Sequence, residues 1–564
     1  MPAKRIVVVG GTAAGPKAAA RAKRLNQAAE VVLLQKAPEL SMASCGYPYY
    51  VSGGVADRDQ LLCTPAGVVR DPLFFAGAKG VKALVGVEAL AVDRQGKTVM
   101  YRKAGMTGTE SISYDKLILC TGSTPRMPRF PGGELEGITA LHSMSDADRL
   151  REIAMKGKGG KAVIAGGGLI GMETCEALAS CGMDVTVVEK LPGILAFLDP
   201  ELSMLVENHV RSKGVKILTS IGVAGFEGSD GHVKSVLLDD GRALDCDLVV
   251  MALGVAPNVK LARDAGLVIG ETGGIVVDAH MRTSDQDVYA AGDCVEVYSR
   301  LTGGKALAPY GDLANLEGRV AGENAAMGDR AEFPGTIFSG ICKVFDFAAG
   351  STGLSRQKAL DAGYDVITVV NASPDKPGFM GAKLLVSKMI ADAGTGRILG
   401  FQCVGAGEVN RQVAEAAMAV MAGMTVEEAC MADLPYAPPF SLAIDHFIAT
   451  AHILDNKMRG LLKGVSCLEV QRDLDTGLKP YFLDVRGPKE FEEMRLGIGE
   501  KLIPLGQLRS RLDELPADKN TMIVTYCRVS MRGYEAQRIL EAKGYEHVVV
   551  MEGGIMAWPF AREK

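Results

Sequence analysis

Residues 41–50 read SMASCGYPYY and set one cysteine, Cys45, between small residues and a Gly-Tyr-Pro-Tyr-Tyr run. Such a thiol is a packing residue, half of a disulfide or a working nucleophile, and a lone cysteine does not choose among these. Glycine clusters offer a second chemistry. In KAVIAGGGLIGMETCEALASCG (161–182), Gly166, Gly168 and Gly171 keep G-x-G-x-x-G spacing between a strand pattern and a helical one, and Glu189 ends the next strand, VTVVEK. The first glycine permits the tight turn, the second lets the backbone approach a pyrophosphate, and the third packs helix on strand. The helix N-terminus presents free N–H groups to the phosphates. Glu189 can accept from both ribose hydroxyls and repels a 2′-phosphate, which favours NADH; Lys190 beside it keeps NADPH possible. Without a ligand the same glycines make only a turn.

The chain opens with the same grammar, KRIVVVGGTAAGPKAAARAKRL (4–25). Gly10 and Gly15 hold the outer fingerprint positions, Thr12 takes the middle one, and Ala13 and Ala14 lie between. The following strand, VVLLQK (31–36), ends in Gln35 and Lys36 instead of an acid. Two copies of strand, glycine turn, helix and strand predict two dinucleotide-binding βαβ units. DKLILCTGSTPRMP (115–128, with Gly122) and DLVVMALGVAPN (247–258) read as paired strand exits bracketing the second copy, and YAAGDC (289–294) as a further strand end of the first.

At 564 residues the chain is too long for one core and suggests roughly three or four domains. Sixty-eight glycines without collagen periodicity imply many tight turns. A net charge of −5 supplies no field to recruit nucleic acid or anionic lipid. No apolar run is long enough to span a bilayer, and the N-terminus shows no secretory pattern. Twelve cysteines without C-x-x-C or zinc spacing suggest neither a disulfide framework nor a metal site, so a cytoplasmic, reducing location is expected. From about 335 the pattern turns to strands, hairpins and the helical run VNRQVAEAAMAVMAGMTVEEAC; NKMRGLLKG (456–464) reads as a linker.

This arrangement resembles the pyridine nucleotide-disulfide oxidoreductase family over residues 1 to about 455. GGTAAG, SMASCGYPYY and DLPYAPPFS (433–441) together resemble its coenzyme A-disulfide reductase branch. The resemblance implies an α/β chain with an FAD-binding domain in two segments (1–150 and 255–330), an NAD(P)H domain inserted at 151–254, and an α+β dimerisation domain at 331–455. FAD would lie on the first glycine turn, with Asp293 holding the ribityl chain; Asp293 is otherwise an ordinary helix cap. Family members often carry C-x4-C, but position 50 here is Tyr and the next cysteine is Cys63. Cys45 would therefore pair with a substrate sulfur, as a mixed disulfide with coenzyme A or as a persulfide. Gly46 and Pro48 suggest that Cys45 opens a helix whose dipole lowers its pKa. Cys63, Cys120, Cys175, Cys181, Cys246, Cys342, Cys403, Cys430 and Cys467 are expected to pack passively.

By the same resemblance Ser41 lies at the pantetheine end of coenzyme A, Ser44 takes the place of a common asparagine, and Lys23 and Arg24 meet the nucleotide phosphates. Tyr436 would reach the partner subunit's site in a homodimer. A second tyrosine usual in the branch is replaced by Lys376.

Residues 465–564, through FLDVRGPKEF, YCRVSMRGYEAQRIL and VMEGGIMAW, resemble a rhodanese domain. A strand delivers Cys527, and the loop through Arg532 folds its N–H groups into a nest for an anionic sulfur, with Arg532 adding charge. Asp484 and Arg486 would tie the neighbouring strand end to this loop. Related phosphatases keep one more residue between Cys and Arg, so the four here favour sulfur over phosphate. Ser530 replaces a frequent glycine.

The expected activity is FAD-dependent reduction by NADH of sulfur–sulfur bonds in coenzyme A persulfide, polysulfide or coenzyme A disulfide, with Cys527 handling sulfane sulfur. An NADH oxidase or peroxidase cycling Cys45 through sulfenic acid is the rival enzyme, separated by peroxide and oxygen consumption. A redox-responsive flavin-binding sensor is the rival of another class, marked by negligible turnover.

Overall fold

A computed structural model describes residues 4–563. The chain packs as two compact units. The described residues through Lys190 with Ile221–Thr336 form one, and Leu191–Ser220 with the residues from Ile337 onward form the other.

In the first unit a parallel sheet runs in the order Val288–Ala290, Lys116–Leu119, Arg5–Val9, Glu30–Gln35, Lys82–Val85. Arg5–Val9 and Glu30–Gln35 are near-continuous Val, Ile and Leu runs with almost every side chain buried, as strands covered on both faces must be. Each such side chain contributes about 1.5–3 kcal/mol by leaving water. The expected bracket is present: Ser123–Pro125 pairs antiparallel with Val255–Pro257, Thr124 opposite Ala256. Between those strands, Lys161–Ala165 pairs in parallel with Asp184–Val188 and Leu248–Met251, and the latter with Ile138–Thr139.

Helix Ala14–Leu25 meets helix Gly311–Met327 along a seam of small residues. A Cβ on Gly318 would fall 2.3 Å from the Ala14 carbonyl oxygen, and one on Gly322 2.3 Å from that of Ala18. Only glycine allows the backbones to approach so closely.

The second unit holds a five-stranded antiparallel sheet in the order Gly340–Val344, Phe347–Gly353, Ile398–Gly405, Leu384–Asp392, Val366–Pro374. Helices Val409–Ala422 and His446–Met458 pack on it. A separate parallel sheet follows, ordered Gly464–Val465, Val548–Met551, Ile523–Tyr526, Tyr481–Asp484, Lys501–Leu502. Residues 456–464, expected as a linker, are helical through Met458 and already strand at Gly464. The reason is a buried tie. Lys457 Nζ donates to the Thr368 carbonyl at 2.9 Å and to Glu552 at 2.5 Å, and Glu552 also accepts the Val370 N–H at 3.0 Å. Helix Pro200–Ser212 is fastened similarly, with buried Lys388 lying 2.8 Å from Asp199 and 2.6 Å from Glu201. No helix among the described residues is long and apolar enough to cross a membrane.

Candidate active sites

The two glycine turns are built alike. Gly10 and Gly166 have φ of +106° and +109°, and a Cβ would fall 1.9 Å from the Cys120 carbonyl oxygen in one and 2.3 Å from that of Ala252 in the other. At Gly15 and Gly171 it would fall 1.8 and 2.0 Å from the carbonyl oxygens of Gly10 and Gly166. Gly168 is the opposite case: nothing lies within 4 Å of a Cβ there, so bare backbone borders open space where helix Leu169–Ser180 begins. Exposed Thr12 takes that place in the first turn, with Ala13 as the N-cap of helix Ala14–Leu25 and no side-chain cap bond. Bare backbone at helix N-termini fits the phosphates of two dinucleotides.

Gln35 and Glu189 hold these turns. Gln35 Oε1 accepts the Gly11 N–H at 2.9 Å and its amide donates to the Glu39 carbonyl, while Glu189 Oε2 accepts the Gly167 N–H at 2.6 Å. The amide therefore replaces the acid as a backbone acceptor. Exposed Lys36 pairs with Glu88 at 2.9 Å. Gly122, at φ +66°, precedes Ser123, whose hydroxyl donates to Asp293 Oδ2 at 2.9 Å. Burial raises the Asp293 carboxyl.

Cys45 lies in the one-turn segment Ser44–Gly46 ahead of helix Tyr47–Val51, with an exposed side chain. The expected dipole effect is not met. Desolvation raises its pKa, Glu173, Asp293 and Asp312 raise it further, and only its own N–H opposes them. The turn contributes too few aligned peptides to outweigh three carboxylates. A longer helix stands nearby instead: a Cβ on Gly311, first residue of Gly311–Met327, would lie 3.7 Å from Cys45 Sγ. Helix Tyr47–Val51 also packs on helix Leu169–Ser180, so the second glycine turn and the thiol belong to one neighbourhood.

Two carboxylates that no motif flags complete this region. Burial, then Glu176, pushes Glu173 up to about 7, and a Tyr49 hydrogen bond opposes the shift. Burial pushes Glu317, which accepts the Gly292 N–H at 2.6 Å, up to about 8. A buried acid at a regular helix position carries no sequence signal beyond its unexpected charge on an apolar face.

Ser41 sits at φ +52° with its N–H on the Gly11 carbonyl at 2.7 Å, which sets it against the first turn. Ser44 begins the Cys45 turn, and Arg24 is exposed. Lys23 is already engaged, donating to the Gln27 and Ala29 carbonyls at 2.7 and 2.8 Å. Tyr436 lies in the second unit, 52% exposed, as are Phe440, Met431 and Phe379 at 66%, 82% and 78%. Cys181 is the C-cap of helix Leu169–Ser180, where the chain turns at Gly182.

In the second unit Cys527 directly follows strand Ile523–Tyr526 and is fully buried, with the Ser530 N–H 3.2 Å from its Sγ. The Cys527 and Arg528 carbonyls are taken by the N–H groups of Ile555 and Met556 at 2.9 and 3.1 Å. Arg532 makes a two-pronged bond to Glu490 at 2.7 and 2.8 Å, and that bond raises the pKa of its guanidinium. The same bond first, then the Gly487 N–H, pulls the Glu490 carboxyl down to about 2. Asp484 and Arg486 are tied differently from expectation. Arg486, buried against Asp484 at 2.6 Å, donates to the Glu490 and Met494 carbonyls at 3.0 and 2.7 Å. It fixes helix Pro488–Glu493, and Glu490 on that helix fixes Arg532.

Three known family models match the chain in succession. The pyridine nucleotide-disulphide oxidoreductase model matches residues 4–309, that family's dimerisation-domain model 340–447, and the rhodanese-like domain model 466–560. The chain belongs to the pyridine nucleotide-disulphide oxidoreductase family. It is an oxidoreductase that uses FAD and a nicotinamide nucleotide, with a rhodanese domain at its C-terminal end. Among curated relatives, the CoA-dependent NAD(P)H sulfur oxidoreductase of Pyrococcus abyssi is 35% identical over 80% of this chain and 98% of its own. Among solved structures, an NAD-dependent persulfide reductase from A. fulgidus is 41% identical with a TM-score of 0.93, covering 98% of this chain and all of its own. Reduced Bacillus anthracis CoADR-RHD is 31% identical with a TM-score of 0.91, covering 99% of this chain and 98% of its own.

Proposed function

We propose that this protein reduces a coenzyme A persulfide or related polysulfide with NADH: R–S–SH + NADH + H⁺ gives R–SH, H₂S and NAD⁺. The observation that carries the reading is Cys45, an exposed thiol without a cysteine partner, in the unit that holds both dinucleotide turns. When bound, flavin and nicotinamide supply the electron pair. Gly10, Thr12, Ala13, Ala14, Gly15, Gln35, Gly122 and Asp293 would hold FAD; Gly166, Gly168, Gly171 and Glu189 would hold NADH. The Cys45 thiol gives up its proton as its sulfur attacks the outer sulfur of the substrate; R–S⁻ leaves with the bonding pair and takes up that proton, and Cys45 is left as a persulfide. Ser41, Ser44 and Arg24 orient the coenzyme A portion; Lys23, held by backbone carbonyls, takes part only by giving these up. Cys527 accepts sulfane sulfur from polysulfide with Arg532 beside it.

The matched dimerisation domain and the exposed Tyr436 and Phe440 support a homodimer in which Tyr436 meets the partner's site. Twelve free cysteines suit a reducing, cytoplasmic location. The rhodanese domain favours this activity over an NADH oxidase, which has no use for sulfane sulfur. Anaerobic mixing of the NADH-reduced holoenzyme with coenzyme A persulfide tests the proposal. Rapid flavin reoxidation with sulfide release is expected, together with a coenzyme A or sulfur adduct on Cys45 by mass spectrometry. Reoxidation by oxygen or peroxide alone would sink it.

A further inference from the structure

Ser530 combines three features that nothing in the resting protein explains. Its φ of +135° lies where glycine is at ease and an L side chain is strained. It is the N-cap of helix Met531–Glu541, yet its hydroxyl caps no N–H. That hydroxyl is buried without a partner, in a residue only 8% exposed. A glycine would remove both the strain and the unpaired donor. Meanwhile the Ser530 N–H lies 3.2 Å from Cys527 Sγ, so the residue that carries the spare hydroxyl is the one already bonded to that sulfur.

Resting on the reading of Cys527 as a sulfane-sulfur acceptor, we infer that the Ser530 hydroxyl donates a hydrogen bond to the outer sulfur of a Cys527 persulfide and retains it there. In the loading step the Cys527 thiolate attacks a terminal sulfur of polysulfide. One S–S bond forms and one breaks, and the shortened polysulfide leaves with the electron pair. No electron or proton enters from elsewhere. The negative charge moves from Sγ to an atom about 2.05 Å farther out. A backbone N–H set for Sγ no longer faces the charge, and the spare donor of Ser530 does.

The test uses full-length holoprotein as wild type, Ser530→Ala and Ser530→Gly, each incubated with inorganic polysulfide. The fraction of the Cys527 peptide that gains one sulfur is read by mass spectrometry, and melting is followed through Trp558. Loading is expected to fall about tenfold in both variants. Ser530→Gly is expected to melt above wild type without polysulfide, whereas Ser530→Ala, which keeps the strain, is not. Loading equal to wild type in Ser530→Ala overturns the hydroxyl's role while leaving Cys527 as acceptor. Absence of any sulfur gain on wild-type Cys527 overturns the acceptor reading and this inference together.

Discussion

Cys45 and Cys527 are the same side chain in opposed surroundings. Cys45 has an exposed side chain, yet desolvation and then the charges of Glu173, Asp293 and Asp312 oppose negative charge on its sulfur. Cys527 is sealed from solvent, with an N–H at 3.2 Å and the Arg532 guanidinium close by. The first setting suits a sulfur that spends its time neutral, as thiol or disulfide; the second sets an N–H donor and a cation beside the sulfur. Cys45 sits in a short turn and Cys527 at the end of a parallel strand, and the groups around each sulfur set the two apart.

Exchanging each sulfur for oxygen breaks the comparison most sharply. Cys45→Ser is expected to lower NADH-dependent reduction of coenzyme A persulfide at least a thousandfold, about 4 kcal/mol in barrier, with flavin reduction by NADH retained. Cys527→Ser should keep that activity and lose sulfur uptake from polysulfide. Equal losses in stopped-flow assays of the two would erase the division of labour.

The next effect is on stability. Removing the carboxylate in Asp484→Ala strands the buried Arg486 charge, at a cost of about 3–5 kcal/mol. Trp558, the single tryptophan, is buried in the C-terminal core and reports this unfolding by fluorescence, while visible flavin absorbance reports the other unit. A drop confined to the tryptophan signal is expected.

A pH experiment sharpens the electrostatic contrast. The folded Glu490 carboxyl lies at about 2, below its ordinary 4.5, so its stabilisation is complete above 4.5 and is lost as pH falls toward 2. Glu490→Gln should flatten the acid side of the Trp558 melting curve; an unchanged slope would place the acid sensitivity elsewhere. The smallest effect concerns reactivity. Because Glu173 raises the Cys45 pKa, Glu173→Gln should speed alkylation of Cys45 by iodoacetamide roughly threefold near neutral pH and leave Cys527 untouched. Peptide mapping of the alkylated protein reads both sites at once.

Much of this was legible in the chain because turns are local. Gly10, Gly15, Gly166 and Gly171 occupy positions where no Cβ fits, and their spacing alone announces that. The strand exits at 115–128 and 247–258 were equally readable, since each pairs a buried run with a glycine turn. What could not be read was the company of each sulfur. Gly311 stands far along the chain from Cys45, and Glu173 is an ordinary helix residue until the helix packs on Tyr47–Val51. The lowered pKa expected for Cys45 fails because desolvation and these distant carboxylates outweigh its local turn. Ser530 was visible as an unusual residue, but its strain appears only with the backbone in place.

The Lys457–Glu552 contact sets a limit on how this chain can be shortened. Truncating before the rhodanese fold would remove Glu552 and leave the Lys457 ammonium and the Val370 N–H to water. A trimmed version of this protein would uncover the edge strand Val366–Pro374 where Glu552 now holds the Val370 N–H, and Lys457 would be one of the charges left to guard that edge.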